Sequence, residues 1–346
     1  MSAMMSETVI ARSRQGRRGN SGDPRDCFVT AFLAMTFFAF NTVAVHAQAF
    51  PTKPVRLIVP FAPGGGTDII GRAIAPHLGA ALGQQVLVDN RPGAGTIIGA
   101  ELAARSVPDG HTIFMGINGT MAINPSMYKK LPYDPVKDFT PIGLLGVGPN
   151  VLVVHPSLPV RTVKDLIALA KAHPGKLSYA SAGTGGAPHL AGELLKSMAR
   201  VDMTHIPYKG AGPATIDLVA GHVQVMFAGL GAAIPHIKSG RLRGVAVASA
   251  KHSVTVPELP TIAETLPGFE ASTWFALFAP VGAPKDVIAR LNSEVNKVMA
   301  RKDVQQQLIA QGYETMTSTP EHLGALLKQD IPRWAGVIRR AGITPE

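Results

Sequence analysis

The sequence predicts an α/β protein of two lobes, each a doubly wound sheet flanked by helices, with a cleft between the lobes. Three observations carry this. Apolar β-branched runs alternate with helical spacing from Val55 almost to the end of the 346 residues, which is the pattern of parallel sheets covered on both faces. With 46% hydrophobic and only 16% charged residues, the chain can bury a core and is not a disordered basic polymer. Finally, a Gly/Pro-rich stretch at Thr140–Pro149 interrupts the first alternating series, and a strand at Thr273–Ala279 follows the second. These points divide the chain into a first lobe of residues 48–149 and 272–346 and an inserted second lobe of residues 150–271.

Residues 1–47 read as a secretory leader. Arg12, Arg14, Arg17, Arg18 and Arg25 precede the apolar run Cys27–Val45, and Val45-His46-Ala47 offers a small-residue cleavage site. Its removal takes five Arg and three acids, lowering the net charge from +10 to +8, and takes Cys27, the one cysteine. The mature chain is then expected outside the cytoplasm, without disulfides or thiol chemistry. The remaining basic residues are scattered, with nothing denser than pairs such as Lys129-Lys130. Nucleic acid is therefore not an expected partner.

In the first lobe the expected elements are a strand at Val55–Phe61, a helix at Thr67–Leu82, a strand at Gln85–Val88, a helix at Thr96–Ala104 and a strand at His111–Ile117. The second lobe continues with strands at Val151–His155, Leu177–Ser181, Met203–Ile206, Val223–Phe227 and Gly244–Ala248. Its helices are a segment ending at Ala172, Pro188–Met198, Pro213–Ala220 and Ala233–Lys238. Thr162 with Asp165 three residues later marks a capped helix start. After Thr273–Ala279 the rest is helical: Pro284–Met299, Asp303–Gln311 and Pro320–Ala341, the last with Thr319 as cap and Pro320 in the first position.

Glycine turns follow the strands at Pro63–Asp68 and Ala182–Pro188, where ligands of open α/β sheets bind. None of the turns has the dinucleotide-binding glycine spacing, and no phosphate-binding lysine motif occurs. Nucleophile-elbow and zinc-protease motifs are missing too, and no histidines stand at metal-ligand spacing. No cofactor or metal is expected. What remains is anion capture by backbone: glycines turn successive N–H groups to one point, and a helix start adds free amides and partial positive charge. His189, in the first helical turn behind the second loop, is either a ligand contact or a helix-start hydrogen bond. Trp274, where the chain re-enters the first lobe, is expected beside the cleft. Asp68 is expected to fold back on the helix start rather than meet a ligand amine.

The segments Pro54–Asp68, Asp89–Gly95, Ile123–Tyr128, Tyr179–Leu190, His205–Gly210 and Leu259–Thr261, in order along the whole mature chain, resemble the Bug-type receptors of tripartite tricarboxylate transporters. The resemblance implies a periplasmic-binding-protein fold, type II-like, closing over a small organic anion, often a carboxylate or dicarboxylate. It also implies a monomeric periplasmic receptor that hands this ligand to a membrane permease. Carried over, the first-lobe contacts are Phe61, Gly65, Gly66, Thr67 and Asp68. Those of the second lobe are Ser181, Gly183, Thr184, Gly186 and Ala187, with Thr120 nearby. Gln224 and Ala228 stand where many relatives carry acids, which argues against amino-acid ligands. A ligand-sensing partner of a signalling protein and an exported enzyme on the same fold are the alternatives.

Overall fold

The structure, a computed structural model, describes residues 50–345 apart from Lys209; the expected leader lies outside the described residues. The chain opens with β1 (Val55–Val59), α1 (Gly66–Leu82), β2 (Val86–Asn90), α2 (Ile97–Ala104) and β3 (Thr112–Ile117). A π-helical turn at Gly119–Ile123 and the short α3 (Asn124–Met127) lead to β4 (Phe139–Gly148). Next come β5 (Asn150–Val154), α4 (Val163–Ala172), β6 (Ser178–Ser181), α5 (Ala187–Ala199), β7 (Thr204–Pro207), α6 (Ala211–Val219), β8 (Val225–Gly229), α7 (Leu230–Lys238) and β9 (Arg243–Val247). The chain ends with β10 (Thr273–Pro280), α8 (Lys285–Met299), α9 (Lys302–Ala310), β11 (Glu314–Thr315) and α10 (Pro320–Arg340).

Two sheets result, ordered β11-β4-β10-β3-β1-β2 and β7-β6-β8-β5-β9. The first uses only strands up to Gly148 and from Thr273 onward, the second only strands between Asn150 and Val247. In the first, the apolar stripe of α1 (Ile70, Ile74, Leu78) meets Val287, Leu291, Val295 and Val298 of α8 and the buried faces of β1 and β3. In the second, Ala214 and Leu218 of α6 pack on Val151, Val153 and Met226. The expected caps form: Thr162 and Asp165 make a reciprocal capping box, and Thr319 accepts from the His322 amide.

Two expectations need correction. Thr140–Pro149 does not interrupt the first series: it is mostly strand, because β4 runs through Gly148 and pairs with β10 and β11. Its glycines serve close approach: a Cβ on Gly146 would collide with the Glu314 carbonyl of β11, and one on Gly143 would come 2.8 Å from Asn292 Nδ2. The sheets are also mixed rather than purely parallel. β1 lies parallel to β2 and β3, and β6 to β7 and β8, but β10 runs against β3 and β4, and β5 against β8 and β9. Both β5 and β10 begin where the chain passes between sheets. They enter at the edge where the parallel strands end, so they must run the opposite way.

The two passages are fastened side by side. Asn150 Nδ2 donates to the Ala271 carbonyl at 2.7 Å, and buried Asn118 Nδ2 donates to the Ser272 carbonyl at 2.9 Å.

Candidate functional site

Between the two sheets lies a cavity of about 270 Å³. Phe61, Gly65, Gly66 and Thr67 line it from the β1–α1 turn, and Gly229, Leu230, Gly231 and Ala232 from the β8–α7 turn. The passages contribute Gly148, Pro149, Asn150, Thr273 and Phe275; Ile117, Gly312 and Tyr313 complete the wall. Two helix starts thus border one small space. At α1 the first intrahelical bond is Ile69 N–H to the Gly65 carbonyl, which leaves the preceding amides free of helical partners. At α7 the Leu230 amide is taken by the Pro149 carbonyl at 2.9 Å, so the following amides remain. No acid, lysine, arginine or histidine is among the lining residues. Along this wall the groups a ligand meets are amides and the two helix starts, each equivalent to roughly half a positive charge.

Asp68 does not line the cavity; it holds the loop that does. Its carboxylate is buried and accepts from Gly64 N at 2.9 Å, Arg72 Nε at 2.9 Å and Asn90 Nδ2 at 3.0 Å. Asn90 is itself fixed, donating to the Phe61 carbonyl at 2.9 Å and accepting from Arg72 Nη2 at 3.0 Å. Burial pushes the Asp68 pKa up, yet the bonds from Arg72, Gly64 and Asn90 outweigh it and hold the group below the ordinary carboxylate value.

The second expected loop does not line this cavity. Ser181, Gly183, Thr184, Gly186, Ala187 and His189 are absent from the cavity wall. Gly185 instead faces Met127, whose Cε would lie 2.5 Å from a Cβ placed there. Ser181 Oγ is occupied by His205 Nε2 at 2.7 Å and by the Gly183 backbone. Thr120 is fully buried, sharing a 2.8 Å hydrogen bond with Thr96 and presenting its carbonyl to Tyr133. Trp274 sits between lining residues Thr273 and Phe275, so strand alternation turns it to the other face. There its Nε1 donates to buried Asp330 at 2.7 Å. The β8–α7 turn carries the signal that the sequence reading passed over: Gly229 and Gly231 flank a strand-to-helix junction just as the first loop does.

His189 makes the helix-start bond. The Gly185 amide donates to its Nδ1 at 3.0 Å, so this nitrogen is unprotonated in the folded chain. The ring stacks on His205 at 3.8 Å between centroids, and Tyr179 continues the stack. Glu193 accepts from the Tyr179 hydroxyl at 2.6 Å and Lys196 Nζ at 2.9 Å, and lies 4.0 Å from His189 Nε2. Burial, then the neighbouring His189, pull the His205 pKa down to about 4, partly opposed by Glu193. Burial likewise lowers that of His189. Between an ordinary 6.5 and about 4, the unfolded chain takes up a proton that folded His205 refuses. Melting temperature should therefore fall as pH drops through that window. The slope should shrink in His205→Gln, measured by differential scanning calorimetry; an unchanged slope would place the titration elsewhere.

Among the described residues no group of three His, Cys, Asp or Glu side chains could hold a metal ion, and no helix is long and apolar enough to cross a membrane.

Residues 70–343 match the model of the tripartite tricarboxylate transporter family receptor, TctC. The chain belongs to this family. Among solved structures it is similar to Rpa4515 of R. palustris with adipate, at 38% identity and a TM-score of 0.75, covering 86% of this chain and 100% of that one. The periplasmic binding protein BugD is 36% identical with a TM-score of 0.72, covering 86% and 100% of the two chains. MatC from Rhodopseudomonas palustris with bound malate is 34% identical, TM-score 0.71, with 84% and 100% covered. The two-sheet architecture is thus the two-lobe fold of periplasmic binding proteins, and the family is one of solute receptors. Of the two acid replacements noted in the sequence, Gln224 lies away from the cavity, its Oε1 accepting from the amide and hydroxyl of Ser178 at 3.0 and 2.8 Å. Ala228 is buried on β8 immediately before the lining turn.

Proposed function

We propose that the protein binds a small carboxylate, preferentially a dicarboxylate, in the cavity between α1 and α7, and that it does so as a monomer in the periplasm. The carrying observation is the pairing of two helix starts around a wall without an ionised side chain. Each start attracts negative charge, so an anion with a carboxylate at each end matches both. Adipate and malate, the ligands of two relatives, have this form. The lobe boundaries proposed are residues 48–149 and 272–346 for one and 150–271 for the other, with the leader at 1–47. The lining offers no acid, base or thiol for turnover, so binding without chemistry is the reading, followed by delivery to the membrane permease of a tripartite transporter.

An ammonium group in this cavity would lose its water and find no carboxylate to pair with. Isothermal titration of the mature protein with succinate, malate, adipate and aspartate tests this. Binding of at least one of the first three is expected, with aspartate about tenfold or more weaker than succinate, since an unmatched buried polar group costs about 1–3 kcal/mol and a charged one more. Tighter binding of aspartate, or no binding of any carboxylate, would overturn the reading.

A further inference from the structure

We infer that Tyr313 is a ligand-contacting residue of the cavity, its hydroxyl donating to the carboxylate held at the start of α1. The inference rests on the carboxylate reading above. Tyr313 lies between α9 and β11, next to Gly312 in a left-handed turn (φ +79°) that no element of the first loop foreshadows. Its amide is fixed to the Leu308 carbonyl at 2.9 Å. Its ring stands edge-on to Phe275, 5.6 Å between centroids and 89° between planes. The ring also covers Gly148, where a Cβ would lie 3.3 Å from the tyrosine Cδ1.

These contacts aim the hydroxyl at Gly66, the first residue of α1: a side chain there would collide with the Tyr313 oxygen. The phenol oxygen therefore stands against Gly66, a residue whose amide has no partner within the helix. It makes no hydrogen bond within the described residues. Burial raises its pKa, so at neutral pH it is a neutral O–H donor rather than a phenolate that would repel an anion. A half-buried hydroxyl without a partner, held against a helix start that attracts an anion, is completed by a ligand oxygen.

The neighbours of Tyr313 tie this contact to the second sheet. Gly312 packs backbone to backbone on Gly231 of α7. Glu314 accepts from Ser253 Oγ at 2.6 Å and from the Val254 amide at 3.1 Å. Tyr313 is thereby positioned by the same contacts that hold the two sides of the cavity together.

Tyr313→Phe is the test, because it removes one oxygen and no internal hydrogen bond. Titration calorimetry with succinate, malate and adipate should show about ten- to hundredfold weaker binding for whichever of them the wild type binds, the range of a hydrogen bond to a charged group. The melting temperature of the ligand-free variant should match wild type. Retention of affinity within about twofold would overturn the role of Tyr313 and leave the receptor reading intact. Failure of the wild type to bind any of the three would instead remove the reading on which the inference rests.

Discussion

Gly231→Ala should abolish tight ligand binding while leaving the protein folded. Gly231 is the second residue of α7, where alanine is favoured over glycine by about 1 kcal/mol on helix propensity alone. The local effect is therefore stabilising. The long-range effect is opposite, because a Cβ at this position would collide with the carbonyl oxygen of Gln311 and lie 3.1 Å from its carbon. Neither is a flexible side chain that can step aside. The turn must retreat from α7, taking Gly312 and Tyr313 with it and loosening Glu314 from Ser253. A displacement near 1 Å costs catalytic geometries on the order of a hundredfold in rate, and a loss of that order in affinity is expected for groups proposed to grip a ligand. Calorimetry should read that loss with a melting temperature near wild type, and small-angle scattering should show a larger radius in the presence of ligand. Wild-type affinity in this variant would mean that the Gly231–Gln311 contact is not needed to hold the ligand.

That contact also shows where a sequence stops being informative. The first loop was legible because Gly64-Gly65-Gly66 follows a buried apolar strand and precedes a periodic helix, so strand, turn and helix start all follow from local pattern. The same grammar is written at Gly229 and Gly231, but with single glycines that resemble any tight turn. The run Gly183–Gly186 is the richer signal in local pattern. Its glycines serve a different end, since Gly185 makes room for Met127 and donates to His189. What distinguishes the two is which strand each follows in the sheet: β8 is central, beside β5, whereas β6 lies one strand further out. Strand order is set by long-range pairing and has no local signature. Tyr313 was invisible for the same reason, because 247 positions of chain separate it from the Gly66 it covers. Trp274 shows the same limit on a smaller scale: its strand borders the cavity, and one step of alternation, which only the register of the sheet decides, turns its side chain to the Asp330 side.

The other large effect concerns Asp68→Asn, a change of one atom that should cost about 2 kcal/mol of stability at neutral pH and weaken carboxylate binding with it. Every partner of the Asp68 carboxylate is a donor: Gly64 N–H and Arg72 Nε–H at one oxygen, Asn90 Nδ2–H and Arg72 Nε–H at the other. An asparagine keeps one acceptor and introduces a donor. If its oxygen faces Asn90, its NH₂ meets the Gly64 amide; if it flips, its NH₂ meets that of Asn90. Asn90 cannot turn to accommodate it without giving up its bonds to the Phe61 carbonyl and to Arg72. One buried donor is left unpaired in either arrangement, a penalty of about 1–3 kcal/mol, and Arg72 loses its charged partner. That second loss counts for little, since the Arg72 side chain is 55% exposed and water compensates it. Binding should suffer because Gly64 and Phe61 are the posts of the loop whose amides are proposed to meet the ligand. The pH dependence separates this account from a generic core defect. With its pKa held below the ordinary value, Asp68 contributes fully above the unfolded carboxylate pKa of about 3.9 and loses that contribution as pH falls through the lower folded value. The gap between wild type and Asp68→Asn in urea denaturation should therefore be constant from pH 7 to 5 and narrow below about 3.9. The histidine cluster titrates in both proteins alike and cancels in the difference. A gap that persists undiminished in strong acid would show that the carboxylate charge is not what holds the loop.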